Sequence, residues 1–204
     1  MKKKILALCL ILALAVTAIG GATLAYFTDT DDAKNEFTVG NVDIDLIEPN
    51  WDKEGGGEDE GEEVYPGEAL AKDPTVENIG ENPCFVRVSV SNLDQFGNKG
   101  MITLRHGNYE EGYDTDYWTY YNGYYYYNKP IKAADDTYNT DLVTKTEPVF
   151  NQIVMPTGLT GDETTLPIEV VAQAVQAQGA KPSWSAVKAM TVEEIAAWFT
   201  TCGF

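Results

Sequence analysis

A tyrosine-rich segment with Asn-Gly at its centre places the strongest constraint on how this chain can fold. Trp118–Tyr121 precedes Asn122-Gly123, and Tyr124–Tyr127 follows it. Asn and Gly both tolerate positive φ, which the two-residue turn matching the twist of paired strands requires. The spacing therefore predicts a β-hairpin in which Tyr121 lies opposite Tyr124 and Trp118 lies opposite Tyr127.

The two faces of this hairpin are both aromatic. Tyr121, Tyr124 and Tyr126 share one face, since side chains alternate along a strand. Because only one face is expected to pack on a core, we expect the other to present aromatic surface. These three tyrosines are therefore a candidate interface for another subunit or a glycan, since tyrosine combines a large contact area with a polar tip. The alternative is that tyrosine is used here only for its strand propensity.

The rest of the chain also reads as short strands. Apolar and polar residues alternate in 42–46, 85–91 and 166–177, and turn residues separate these segments. Thr191 and Glu194 form a capping box, which predicts one short C-terminal helix. Many short strands with little helix predict a mainly β chain, folded as an antiparallel β-sandwich.

The first 25 residues have the pattern of a signal peptide. Three lysines precede the apolar run 5–19, and the small-residue stretch 20–25 follows it. We predict cleavage after Ala25, with a cut after Tyr26 as the alternative. An uncleaved anchor also stays open, because the stretch 5–27 is just long enough to span a bilayer. Cleavage predicts a secreted protein that contacts signal peptidase during export, and the membrane only before the cut.

The mature chain, 26–204, is predicted to form a single domain with one disordered acidic loop at about 52–64. Residues 54–63 consist only of glycine and acidic side chains, so nothing there offsets the entropy cost of ordering. Clustered carboxylates leave weak Ca²⁺ binding open, although the spacing is not that of an EF-hand. No cofactor is predicted.

Charge excludes one class of partner. The whole chain has a net charge of -18, and the 11 basic and 32 acidic residues after Ala25 give -21. Affinity for nucleic acid depends on lysine and arginine neutralising phosphates, so nucleic acid is not an expected partner.

The residue types also argue against most enzyme classes. His106 is the single histidine, whereas the zinc-peptidase motif needs two on one helical face. Cys84 and Cys202 are the two thiols of the mature chain, which excludes a multi-cysteine zinc site. Free thiols are favoured over a disulfide, although pairing stays open. We therefore predict no catalytic residue, no metal ligand and no enzymatic activity.

Several blocks resemble a known family. Residues 20–29 and 37–44 resemble the N-terminal region of proteins exported by the SipW-type signal peptidase, a group that includes the TasA/camelysin family of biofilm-matrix proteins. Residues 65–68, 72–80 and 85–90 are similar in a less specific way. The resemblance implies a jelly-roll-like arrangement of the sandwich. Camelysin-type members of this family are labelled metallopeptidases, so the resemblance also implies that activity as one reading.

The resemblance implies a secreted structural subunit of a cell-surface or extracellular biofilm matrix, which associates with itself or with related matrix subunits. In that reading the segment after the cut adds as a strand to a neighbouring subunit, and Phe37, Val39, Val42 and Ile44 supply the apolar side chains. A monomeric surface adhesin or glycan-binding module is the alternative. A camelysin-like metallopeptidase is a third reading with less support.

Overall fold

The computed structural model describes residues 42–53, 64–160, 163 and 166–204. All of them fall within one compact unit that spans 33–204. The predicted signal peptide 1–25 and most of the predicted acidic loop lie outside the described residues. Within those ranges, no helix has the length and apolar character needed to cross a membrane.

The described part of the chain contains nine strands, one 3₁₀ turn and two α-helices. The strands are β1 (Ile44–Ile47), β2 (Ala69–Ala71), β3 (Thr75–Asn78), β4 (Cys84–Val90), β5 (Thr103–Arg105), β6 (Trp118–Tyr121), β7 (Tyr124–Tyr127), β8 (Gln152–Val154) and β9 (Val170–Gln176). The 3₁₀ turn is Gly97–Lys99, and the helices are α1 (Trp184–Lys188) and α2 (Val192–Thr201).

The strands form three antiparallel sheets. One has four strands in the order β6-β7-β4-β9, another has three in the order β2-β8-β5, and β1 pairs with β3. The sheets do not close into a barrel among the described residues. The predicted mainly β, antiparallel fold with a short C-terminal helix is confirmed.

The hairpin of β6 and β7 has the predicted register. Trp118 lies opposite Tyr127, and Tyr121 lies opposite Tyr124. The φ angles of Asn122 and Gly123 are 48° and 87°, the positive values that the two-residue turn requires. Local turn chemistry therefore sets the pairing of these strands.

The main core lies between the four-stranded sheet and the two smaller sheets. Val86 of β4 and Ala174 of β9 pack in the same cluster as Ile44, Leu70 and Ile153 from the smaller sheets. This packing of sheets across one apolar core is that of a sandwich.

A second core covers the opposite face of the four-stranded sheet. Phe85, Tyr126 and Val175 pack there against Ile195 and Phe199 of α2. The expectation that one face of the hairpin stays uncovered is therefore wrong, because the C-terminal helix lies over it. As predicted, α2 begins with a capping box between Thr191 and Glu194.

Candidate functional site

The N-terminal strand β1 is the described part of the predicted assembly segment. Val42 and Ile44 are only 5% and 1% exposed, and both belong to the main core of their own chain. The carbonyl oxygen of Asp43 accepts hydrogen bonds from the backbone N–H groups of Ile79 and Gly80, each at 3.0 Å. The start of β1 is therefore fixed to the body of the molecule.

The chain just after β1 is fixed as well. The Lys72 Nζ donates to Glu48 Oε2 at 2.6 Å and lies 4.3 Å from the centre of the Trp51 ring. The backbone N–H and the side-chain amide of Asn50 donate to the two carboxylate oxygens of Asp73, each at 2.8 Å. With both ends held, Val42 and Ile44 are placed as core residues of this chain and not as side chains offered to a neighbour.

The remaining predicted site residues near the N-terminus cannot be placed in the same way. Ala25 and Tyr26, at the predicted cleavage site, lie outside the described residues, as do Phe37 and Val39 of the predicted assembly strand. Those four assignments stay predictions.

A cavity of about 590 Å³ lies beside the end of β1. Its walls are mostly apolar and include Leu70, Phe96 and Ile153, while Glu48 and Lys72 supply charged groups. Glu48 Oε1 is buried and makes no hydrogen bond with the residues that the structure describes. Burial raises the pKa of this carboxyl above its ordinary value, against the opposing effect of Lys72. The cleft can take apolar side chains of an incoming segment, together with one hydrogen-bond donor.

Sequence reasoning missed this cavity. Its lining comes from β2, β8 and the loops before β5 and β9, which are far apart in the chain. No local pattern marks residues that meet only in the folded molecule.

The structure changes the interpretation of the candidate tyrosine interface. Tyr126 is only 2% exposed, because Phe199 of α2 packs on its ring with the centroids 5.7 Å apart. Tyr121 and Tyr124 are half-buried and pack against the same cluster. These three tyrosines therefore form an internal surface under the helix, which is a correction to the expectation of an exposed aromatic face.

The buried group at the centre of this surface is Arg87, which sequence reasoning treated only as a polar position in a strand. Its guanidinium carbon lies 3.9 Å from the Tyr124 ring centre and 4.5 Å from that of Phe199. Its Nε donates to Gln173 Oε1 at 2.7 Å, and one terminal nitrogen donates to the Tyr126 hydroxyl at 3.1 Å. The aromatic residues therefore surround a cation of their own chain.

His106 lies in a small polar cluster. Its Nε2 is 3.5 Å from Asp114 Oδ2, and its Nδ1 is buried without a hydrogen bond to any described residue. The Tyr109 hydroxyl donates to Asp116 at 2.6 Å, and this bond raises the pKa of Tyr109. Across the ranges that the structure covers, no three His, Cys, Asp or Glu side chains lie together in a way that could hold a metal ion.

Cys84 and Cys202 are not bonded to each other. Cys84 lies in the main core and Cys202 packs against the core under α2, so the two thiols belong to opposite faces of the four-stranded sheet. Burial raises the pKa of the Cys84 thiol, which disfavours the reactive thiolate.

Comparison with known proteins adds one finding. Residues 1–82 match a family described as camelysin metallo-endopeptidase. The first 82 residues are similar to the camelysin family. The resemblance to the TasA/camelysin family is thereby confirmed over that part of the chain, which includes β1, β2 and β3. No curated protein and no solved structure gave a significant match.

The camelysin match ends before most of the features described above. The aromatic surface around Arg87, the His106 cluster and both helices lie after residue 82. The part of the chain that matches the camelysin metallo-endopeptidase family has no histidine among its described residues.

Proposed function

We propose that the protein is a secreted structural subunit of a cell-surface or extracellular biofilm matrix, which assembles through its N-terminal segment. The observation that carries this proposal is the camelysin-family match over 1–82, a region that holds the predicted signal peptide and the predicted assembly strand. The partners are further copies of this chain or related matrix subunits.

The proposed donor is the segment from Tyr26 to Asn41. Val42 and Ile44 pack in the core of their own chain, so the apolar side chains left to donate include Phe37 and Val39. Main-chain hydrogen bonds would supply affinity, and side chains at alternate positions would enter pockets of the neighbouring subunit. An uncleaved signal peptide would hold this segment back, which couples assembly to export.

The proposed acceptor is the cavity beside β1. Its volume of about 590 Å³ and its apolar walls suit two or three apolar side chains of an extended segment. The unpaired Glu48 Oε1 offers an acceptor to a backbone N–H of the incoming strand.

The decisive experiment compares the protein starting at Tyr26 with a form starting at Asn41. We expect the longer form to assemble with rising concentration, as followed by light scattering and electron microscopy, and the shorter form to stay a folded monomer. In the longer form, Phe37→Ser with Val39→Ser should also stop assembly. Thr38→Ala, at the position between these two residues, should not. Equal assembly of the long and short forms would show that the N-terminal segment is not the donor.

We propose further that the protein is not a peptidase. His106 is the single histidine, and its buried Nδ1 and its contact with Asp114 suit a structural residue of the loop. His106→Ala should leave any proteolysis by the purified protein unchanged, and a metal chelator should have no effect on it. A large loss of proteolysis in either case would restore the metallopeptidase reading.

Glycan binding through the hairpin, the alternative reading of the sequence, loses its main support. The face that carries Tyr126 packs under α2, and Trp118 on the other face is buried in the main core. The hairpin strands retain one largely exposed tyrosine, Tyr120, at 52%.

A further inference from the structure

An open groove of about 680 Å³ lies where β4 begins and β9 ends. The loop 135–139 lines it, as do the turn 178–183 and the first residues of α1. A backbone hydrogen bond from Ala177 to the carbonyl oxygen of Pro83 joins the two strand ends at 2.9 Å. Its lining includes the side chains of Glu81, Asn82, Asp135, Tyr138, Gln178 and Trp184.

Tyr138 is the most exposed of the large hydrophobic side chains in the described part of the molecule, at 94%. Its backbone is nevertheless held in place. Asp136 Oδ1 accepts hydrogen bonds from the N–H groups of Tyr138 and Asn139 at 2.8 and 3.1 Å, and Lys132 Nζ donates to the Asp136 carbonyl oxygen at 2.8 Å. The ring is thus presented to solvent from a fixed turn, which lowers the entropy cost of using it for binding.

Trp184 contributes a second aromatic ring to the groove. It is half-buried, and its Nε1 lies under the surface without a hydrogen-bond partner among the described residues. Aromatic rings of this kind stack on the C–H-bearing face of a pyranose ring.

Amide and carboxylate side chains also line this groove. The side chains of Asn82, Gln178, Glu81 and Asp135 line it, and none of them makes a hydrogen bond in the part of the chain that the structure covers. An amide offers donors and an acceptor, and a carboxylate offers two acceptor oxygens. Groups of this type match the hydroxyls of a sugar, which both donate and accept.

The charge of the groove limits which sugars it suits. Lys181, the one basic residue in its lining, is paired with Glu194 at 2.5 Å, whereas Glu81 and Asp135 make no ion pair with any residue that the structure describes. Together with the net charge of -18, this arrangement repels uronic acids, nucleic acids and phosphates. The ligand class is therefore a glycan without anionic groups.

We propose that this groove is a binding site for neutral glycans, with Tyr138 as the stacking residue and Asn82 and Gln178 as hydrogen-bonding residues. The site goes beyond the proposed function, because its residues lie outside the proposed donor segment and outside the proposed acceptor cavity. A subunit with both sites would attach to polysaccharide while it assembles.

The test is a binding assay on the protein as secreted by an expression host. Neutral hexasaccharides of glucose, galactose, mannose and N-acetylglucosamine are presented on an array, beside hexamers of galacturonic acid as the anionic counterpart. We expect saturable binding to at least one neutral hexamer and none to the uronic acid hexamer. Calorimetry on the bound hexamer then gives the Kd.

Variants locate the site. Tyr138→Ala should weaken binding about tenfold, since loss of one stacking ring corresponds to roughly that change in Kd. Tyr65→Ala removes another exposed tyrosine, at 62%, from outside the groove and should leave the Kd unchanged. Tyr138→Ala should also leave assembly unchanged, which separates this site from the N-terminal donor.

Three results would overturn the proposal. They are no binding to any neutral hexamer, equal affinity of Tyr138→Ala and the unmodified protein, or preference for the uronic acid hexamer. Because the Tyr138 ring is almost fully exposed, loss of binding in its variant cannot be ascribed to misfolding, and a thermal unfolding curve would check this.

Discussion

Arg87 is a buried cation that the described residues leave without a carboxylate partner. Its guanidinium is held by the Gln173 amide and the Tyr126 hydroxyl, and it lies against the Tyr124 and Phe199 rings. A buried charge is costly unless such groups replace its water. The long side chain also fills space between the sheet and α2, so its contribution to stability is both polar and apolar.

Arg87→Ala should lower the free energy of unfolding by about 2–4 kcal/mol. The change leaves a cavity and removes a hydrogen-bond partner of the buried Tyr126 hydroxyl and of the half-buried Gln173 amide. Arg105→Ala, at an exposed position of β5, should change it by less than about 0.5 kcal/mol. Urea unfolding followed by tyrosine and tryptophan fluorescence measures both. Similar midpoints for the two variants would mean that Arg87 is not a stabilising centre.

Asp136 controls the order of the loop that presents Tyr138. Hydrogen bonds from the Asn139 side chain, and then from the backbone N–H groups of Asn139 and Tyr138, hold the pKa of this carboxyl below its ordinary value. A lowered pKa means that the stabilisation is present above the ordinary carboxyl pKa and is lost as pH falls through the lowered one. The amide protons of Tyr138 and Asn139 should therefore lose protection from exchange in strong acid.

Asp136→Asn is the matched control for that titration. The amide oxygen still accepts from the backbone N–H groups and does not titrate, while the side-chain bond from Asn139 Nδ2 is lost. In this variant the protection of the two amides should no longer depend on pH across the acid range, apart from the intrinsic exchange rate. If the variant loses amide protection at the same pH as the unmodified protein, a group other than Asp136 is responsible for that loss.

For the strands and helices, the sequence predicted the features that neighbouring residues determine, but it did not predict how distant elements pack together. Asn122-Gly123 fixed the register of β6 and β7, and Thr191 with Glu194 marked the start of α2. Which element covers which face depends on residues far apart in the chain. The apolar face of α2 and the second aromatic face of the hairpin were each visible, but no local rule joins them.

The same limit applies to the predicted site residues, because their packing also depends on distant parts of the chain. The alternation of Val42 and Ile44 correctly indicated a strand with one apolar face, yet did not show that this face fills the core of its own chain. The groove at Tyr138 and the cavity at Glu48 are lined by loops from several parts of the chain, and loops carry no periodic signal.

Leu166→Arg tests the proposed acceptor at the element scale. Leu166 lies on the cavity wall with its side chain 56% exposed, and its backbone bonds to Gln95 do not depend on that side chain. The bulky charge should slow assembly at least tenfold in light scattering while the melting temperature stays the same. Val143→Arg adds the same charge at a 49% exposed position outside the cavity and should assemble normally. If both variants slow assembly alike, the effect belongs to charge in general and not to this cavity.

For the whole molecule, charge repulsion opposes association. The mature chain is expected to have a net charge of -21, and like charges repel over about 10 Å at 0.1 M ionic strength. Adding salt should therefore speed assembly, and so should lowering the pH, because carboxylates then become protonated. Scattering measured across a salt series at constant pH checks this, with the form starting at Asn41 as the control for non-specific aggregation. Slower assembly at higher salt would indicate that attraction between opposite charges drives it.

The helix layer over the four-stranded sheet has a consequence for any fibre made from intact subunits. Amyloid requires bare sheet faces that stack about 10 Å apart in dry interfaces. Here one face of the largest sheet is buried against the smaller sheets and the other under α2, so neither is available for stacking. Such a fibre would be a linear assembly of subunits that each keep their folded structure. It should bind thioflavin T poorly, lack a strong 10 Å equatorial reflection, and dissolve in denaturant at the concentration that unfolds a single subunit.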